Sequence, residues 1–214
     1  MYLSEVTITL LSRIKLGSLS KMKKLNAGAA KHLGQVGITI LAFLCLNWLN
    51  EIAFLPIEQS NGVNWVFIPA GIRLLSTMLF GLAGFEGLLL TGLYLNFFHF
   101  SFQSAFRAWS GALSGALGPY LAALLFKHWF DLEPFLKGLT AHRLLFTGML
   151  CGFLSPVLHH TFTWILTGHV DWTALAAMII GDTVGILIVL CLAKLIIALV
   201  HRYPPAAHLL RRGL

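Results

Sequence analysis

Polar and hydrophobic positions along this chain do not alternate; the hydrophobic ones run together. Six apolar stretches stand out, near residues 34–55, 65–83, 85–101, 105–126, 142–166 and 173–200. Each reaches or approaches the roughly 20 residues that a helix needs to cross a bilayer. The pattern predicts an all-α fold, a polytopic membrane bundle of six transmembrane helices. It divides the chain into a basic leader (1–33), the transmembrane domain (34–200) and a basic tail (201–214). In the leader, Ile8, Leu11, Ile14 and Leu25 recur at about helical spacing among lysines, which fits an interfacial helix as well as a disordered segment. Met22 offers a second candidate start.

Composition changes the picture in one respect. Hydrophobic residues make up 57% of the chain and charged residues 11%, against about 25% charged in soluble domains. Among the 15 Lys and Arg residues, Arg13, Lys15, Lys21, Lys23, Lys24 and Lys31 precede the first stretch, while Arg202, Arg211 and Arg212 follow the last. Lys127, Lys137 and Arg143 fall in the segment 127–143, whereas the segments near 51–64, 101–107 and 167–172 carry Glu51, Glu58, Asp171 and, as the basic residue, Arg107. The positive-inside rule then places both termini in the cytoplasm of a bacterial cell and the chain in its inner membrane. The basic flanks suit anionic lipid, and no aromatic-basic interleaving of the nucleic-acid kind appears. Cys45, Cys151 and Cys191 form no Cys-x-x-Cys pair and read as small core residues.

The polar residues inside the apolar stretches carry the candidate chemistry. Arg73 lies near the middle of WVFIPAGIRLLSTMLFGLAG (65–84). An arginine at bilayer depth costs several kcal/mol unless it meets water, a carboxylate or backbone carbonyls. Asp182 lies at similar depth on the sixth stretch, and Glu51 ends the first, with Asn47 and Asn50 within a turn. Asn96 and His99 close the third, Arg107 opens the fourth, and His159 and His160 sit in the outer half of the fifth. The simplest account pairs Arg73 with Asp182, with Glu51 as a further candidate. Such a network is either an ion pair that fixes helix register or the wall of a periplasm-facing pocket for a small polar or anionic ligand. Pro69 and Gly71 are expected to loosen the helix beside Arg73 and free backbone groups to line that pocket.

Adjacent His159 and His160 point about 100° apart on a helix, so no metal site is predicted. Glu86 reads as a carboxylate at a helix N-terminus with no functional role. Small residues four apart (Gly111 and Gly115, Gly148 and Gly152, Gly181 and Gly185) are expected to bring helix backbones together. Catalytic signatures are missing: there is no Gly-x-Ser-x-Gly, phosphate loop or His-Glu-x-x-His. The expectation is a protein that is not an enzyme and carries no cofactor.

Three motifs bear a resemblance. The run NWVFIPAGIRLLSTMLFG (64–81) resembles the signature of the type-one membrane-associated sensor domain, the MASE family. SGALSGALGPYLAALLFKHWF (110–130) is similar to that family's fourth helix, and IIGDTVGILIVLCLAKLII (179–197) to its closing Gly-Asp-x-x-Gly helix. The likeness covers about residues 34–200, with Ala112 where the family commonly has asparagine and Arg73 where a small residue is usual. It implies an inner-membrane sensory module. With about 14 residues after the last stretch and no output domain, that module would act through a protein partner in the membrane or cytoplasm. Two other readings remain open on the residues alone: a small accessory subunit of a larger membrane complex, and the substrate-binding subunit of a vitamin-type transporter.

Overall fold

The computed structural model describes residues 2–54, 58–60, 63–102, 104–130 and 140–202. Lys137 and the tail beyond residue 202 lie outside them, as do the side chains of residues 1–25 in the leader and that of Glu58. The described residues form helices α1 (Tyr2–Phe54), α2 (Pro69–Phe80), α3 (Leu82–Tyr94), α4 (Ala105–Phe130), α5 (Ala141–Thr167) and α6 (Trp172–Arg202). A two-stranded hairpin, β1 (Glu58–Ser60) and β2 (Val63–Asn64), precedes α2, and a π-helical turn (Leu95–His99) extends α3. The regular structure of the described residues is thus all-helical apart from one short hairpin. The leader is the beginning of α1, which runs unbroken into the first apolar stretch.

Among the described residues, four helices are long and apolar enough to cross a membrane: Asn26–Phe54 within α1, all of α4 and α5, and Trp172–Ile196 within α6. The predicted stretches 65–83 and 85–101 behave differently. Pro69 has no N–H to donate and stands at the start of α2, so the helix is only 12 residues long and residues 65–67 are not helical. Gly81 (φ 59°, ψ −118°) then lets the chain break between α2 and α3 within one residue.

The short helix α2 is the hub. Helices α1, α3, α4, α5 and α6 all pack on it, and round it they touch in the order α1–α3, α3–α4, α4–α5 and α5–α6. Its buried face includes Ala70, Leu74, Ser76, Thr77 and Met78. Leu74 and Met78 join Phe126, Cys151 and Ile186 in one apolar cluster, while Phe43, Leu88, Leu95 and Ala116 form a second. Buried hydroxyls need partners in such a core, and Thr39, Ser76, Thr77, Thr91, Ser114 and Thr147 all bond the carbonyl four residues back on their own helix. Outward faces carry large apolar side chains such as Leu41, Leu90, Met149 and Ile165, together with Trp48, Trp109, Trp129, Trp164 and Trp172, and this surface suggests contact with a lipid bilayer. Cys151 is buried as expected, but Cys45 and Cys191 lie on exposed faces because their helix positions turn away from the core.

Glycines serve the fold differently from their sequence spacing. Gly148 and Gly152 do bring α5 against α6: a Cβ on them would lie 2.8 Å from Ile186 Cγ2 and 2.6 Å from Thr183 Oγ1. Gly181 and Gly185 instead seat the non-helical chain before α2, since Cβ atoms there would collide with the carbonyls of Asn64 and Phe67. The Phe67 N–H donates to the Gly181 carbonyl at 3.0 Å, and the Ile68 N–H donates to Asn50 Oδ1 at 2.8 Å. Irregular backbone within a bundle survives where protein groups take its hydrogen bonds.

Two histidine–glutamate pairs bracket the parallel helices α1 and α3. His32 Nε2 lies 2.7 Å from Glu86 Oε2 at one end, and His99 Nε2 lies 2.9 Å from Glu51 Oε1 at the other. Glu86 therefore has a specific partner on α1 rather than serving only a helix terminus.

Replacing Gly185 by Val is expected to unseat the 64–67 segment and cost roughly 1–3 kcal/mol or more as overpacking. Gly34→Ala, whose Cβ would meet nothing within 4 Å, should be neutral or slightly stabilising. Thermal unfolding of the two purified variants in detergent checks this; equal midpoints would show that the α6 groove does not hold the segment.

Candidate functional site

The site is built downward from the start of α2. Because Pro69 begins the helix, Arg73 is only four residues into it, so its side chain projects near the helix N-terminus, beside the non-helical segment. Its Nη1 lies 3.7 Å from Asp182 Oδ2, with side-chain exposures of 17% and 6%. This is an ion pair at a separation too long for a hydrogen bond. The guanidinium carbon stands 4.7 Å from the ring centre of Phe67 and 5.3 Å from that of Phe43, cation–π contacts worth about 0.5–2 kcal/mol each. No described residue accepts a hydrogen bond from the guanidinium. Gly115 of α4 makes room for it, since a Cβ there would sit 3.5 Å from Nη2. Pro119 has no N–H to donate to the Gly115 carbonyl, leaving that carbonyl without its usual helical donor.

Arg73 forms the floor of a cavity of about 310 Å³, at the lower end of the range for small-molecule pockets. Helices α1 to α6, the π turn and β2 all contribute to its wall. Glu51, His99 and Arg107 form the rim. Phe43, which touches the guanidinium, and Glu51 are eight residues apart on α1, as are Gly115 and Arg107 on α4. At 1.5 Å per residue both helices place the rim about 12 Å above the floor. Arg107 is held over the ring of Phe102, 4.3 Å from its centre, and the Phe102 ring stacks on Phe100 at 5.8 Å. Between these rings Ser101 adopts φ 50°, an uncommon conformation for a residue with a Cβ.

Four buried polar atoms of the cavity wall have no partner among the described residues: Asn50 Nδ2, Asn64 Oδ1, Ser155 Oγ and His159 Nδ1. The contrast with the rest of the core is informative. Six buried hydroxyls return to their own helix, but Ser155, 3% exposed, does not. An unmet buried polar group costs about 1–3 kcal/mol, so four around one cavity mark a place built to hold polar matter.

Of the residues singled out in the sequence, Glu51, Arg73, Asn96, His99 and His159 line this cavity. Asp182 stands behind Arg73. Glu51 does not join that pair: it takes a hydrogen bond from Asn47 Nδ2 at 2.8 Å and faces His99 at the rim, because α1 carries it a further two turns outward. Asn96 is tied to the Ala108 carbonyl at 2.8 Å, fixing the π turn against α4. His160 lies off the cavity, buried with both ring nitrogens unpartnered among the described residues. Gly111 and Gly115 are wall residues and do not appose helices: their missing Cβ atoms face Asn96 and Arg73. Pro69 and Gly71 do not loosen a helix either. Pro69 starts one, and Gly71 accommodates the Val189 side chain of α6. Sequence reasoning passed over Asn64 and Ser155, which carry no charge and match no motif; only their polarity in an apolar run signals them.

Asn50→Ala should strip the acceptor from the Ile68 N–H and destabilise the chain by about 1–3 kcal/mol, whereas Asn50→Asp, which keeps an oxygen, should recover part of that. Denaturation midpoints of the two variants measure it; equal losses would show that the bond from the Ile68 N–H to Asn50 Oδ1 does not carry the effect.

Comparison with protein-family models, with curated proteins and with solved structures gives no match.

Proposed function

We propose that this chain is a sensory or regulatory membrane module that binds a small polar or anionic ligand in the Arg73 cavity and acts through a partner protein. The observation that carries the reading is the unmet polar lining: a buried guanidinium and four unpartnered wall atoms around about 310 Å³. An ion pair serving only to fix helix register would need no such space beside it. The likeness of the Asn64–Gly81 run to a membrane sensor signature points the same way. In this reading the cavity opens toward the periplasm of a bacterial inner membrane and both termini are cytoplasmic, as the distribution of basic residues favours.

The same reading has six crossings. The non-helical residues 64–67 reach up to about 13 Å, and the 12 residues of α2 add about 18 Å. Together they match a hydrocarbon layer of about 30 Å. The 18 residues of Leu82–His99 supply about 27 Å. Two crossings would thus be made by helices below the usual length, one of them completed by extended chain.

The test is purification of the full chain from bacterial membranes in mild detergent, followed by mass spectrometry of released small molecules and co-eluting proteins. Wild type should carry a polar small molecule near one per chain together with a specific protein partner. Arg73→Ala should lose the molecule and Asp182→Ala should change how much of it is retained, both eluting as folded protein. A wild-type chain that carries neither ligand nor partner would overturn the reading. A chain that keeps the partner while both variants lose only assembly would make it a structural subunit.

A further inference from the structure

We infer that the ligand of the Arg73 cavity is a small organic carboxylate that also carries a hydrogen-bond donor, bound head-down with its anionic group on the guanidinium. The inference rests on the ligand-binding reading above and adds the chemistry. A guanidinium offers five N–H donors in a planar fork that matches a carboxylate bidentately. Arg73 spends none of them on a described residue, and its ion-pair partner stands at 3.7 Å. Asn50 Nδ2, Ser155 Oγ and His159 Nδ1 add further unpartnered groups able to donate.

The count of charges limits the anion. Asp182 already faces Arg73 from behind, and the other cation of the wall, Arg107, stands about 12 Å higher by helix rise. A phosphate, with a charge of about −1.5 to −2, would bring its second charge toward the Asp182 carboxylate with no second cation at the floor. A carboxylate brings one charge and leaves the pair with a net charge of minus one, shared over a fork of donors. Phe43 and Phe67 flank the guanidinium at the floor, and toward the rim the wall carries Phe100 and Phe102. An apolar body fits there and an extended polar one does not. Asn64 Oδ1 is the one unpartnered atom of the wall that can only accept. It calls for a hydroxyl or amine on the ligand.

The carboxylate can come from the aqueous phase or from the membrane as a fatty acid, and the two share the head-group chemistry. Titration of the purified full chain in detergent with benzoate, 4-hydroxybenzoate, hexanoate, oleate, benzamide and inorganic phosphate, read by thermal unfolding and calorimetry, separates them. Binding of benzoate or hexanoate, with 4-hydroxybenzoate tighter than benzoate and benzamide at least about tenfold weaker, supports a soluble carboxylate. Binding of oleate without the short acids supports a carboxylate from the membrane and overturns the added donor. Arg73→Gln should weaken the responding acid by about tenfold or more. Gly115→Ala, whose Cβ would lie 3.5 Å from Arg73 Nη2, an ordinary contact that narrows the floor and leaves the Arg73–Asp182 pair in place, should do the same if the first variant fails to fold. Gly34→Ala should bind as wild type. Benzamide equal to benzoate, or binding of phosphate alone, would overturn the carboxylate while leaving a ligand cavity standing. Silence toward every probe would overturn it too, and the mass spectrometry of wild-type chain then decides separately whether the cavity holds a ligand of another kind.

Discussion

A guanidinium in the middle of an apolar bundle is the constraint around which this structure is arranged. Arg73 must be met by charge, dipoles or π-faces, and each of those comes from a different part of the chain. Asp182 arrives from α6, Phe43 from α1, Phe67 from the segment before α2, and the missing side chain of Gly115 gives it room on α4. Removing one partner of such a pair strands the other, at a cost of about 3–5 kcal/mol in buried settings. The position of Arg73 on the hub helix therefore fixes how its neighbours can be placed around it.

The cavity is a by-product of the same arrangement. Starting α2 at Pro69 removes four residues of helix that would otherwise occupy the centre of the bundle beside α1, α3 and α4. Extended chain is thinner than a helix, and it lies against the glycines of α6, on the far side. The space left is lined by whatever those helices present: asparagines from α1 and the π turn, Ser155 and His159 from α5, and aromatic rings above. Most of the core satisfies its polar atoms locally, so the unmet atoms gather here.

The legible part of the sequence was the part governed by single residues and long runs. Apolar runs gave the helices, and the cost of burying Arg73 led directly to Asp182, more than a hundred positions away. Local geometry was harder to read. A proline and a glycine inside an apolar run fit a kinked helix as well as a helix that starts late, and only the contacts of 64–67 with α6 separate the two. Gly111 with Gly115 and Gly181 with Gly185 share one spacing, yet the first pair faces side chains and the second faces backbone. Spacing records which face a residue occupies, and says nothing of what lies opposite. Asn64 and Ser155 escaped for a related reason: uncharged polar residues in helical proteins usually bond their own backbone, and nothing in the primary structure marks the ones that do not.

The seat of the 64–67 segment also bears on the order in which the protein is made. Its Phe67 N–H donates to the carbonyl of Gly181 and its backbone rests in the groove at Gly185, both on α6, which leaves the ribosome after the other five helices. Until α6 is in place, that stretch of chain has nowhere to lie, and α2 cannot be held at its final height. Assembly of the hub then waits for α6, so a chain cut short before residue 181 would lose the seat of its centre.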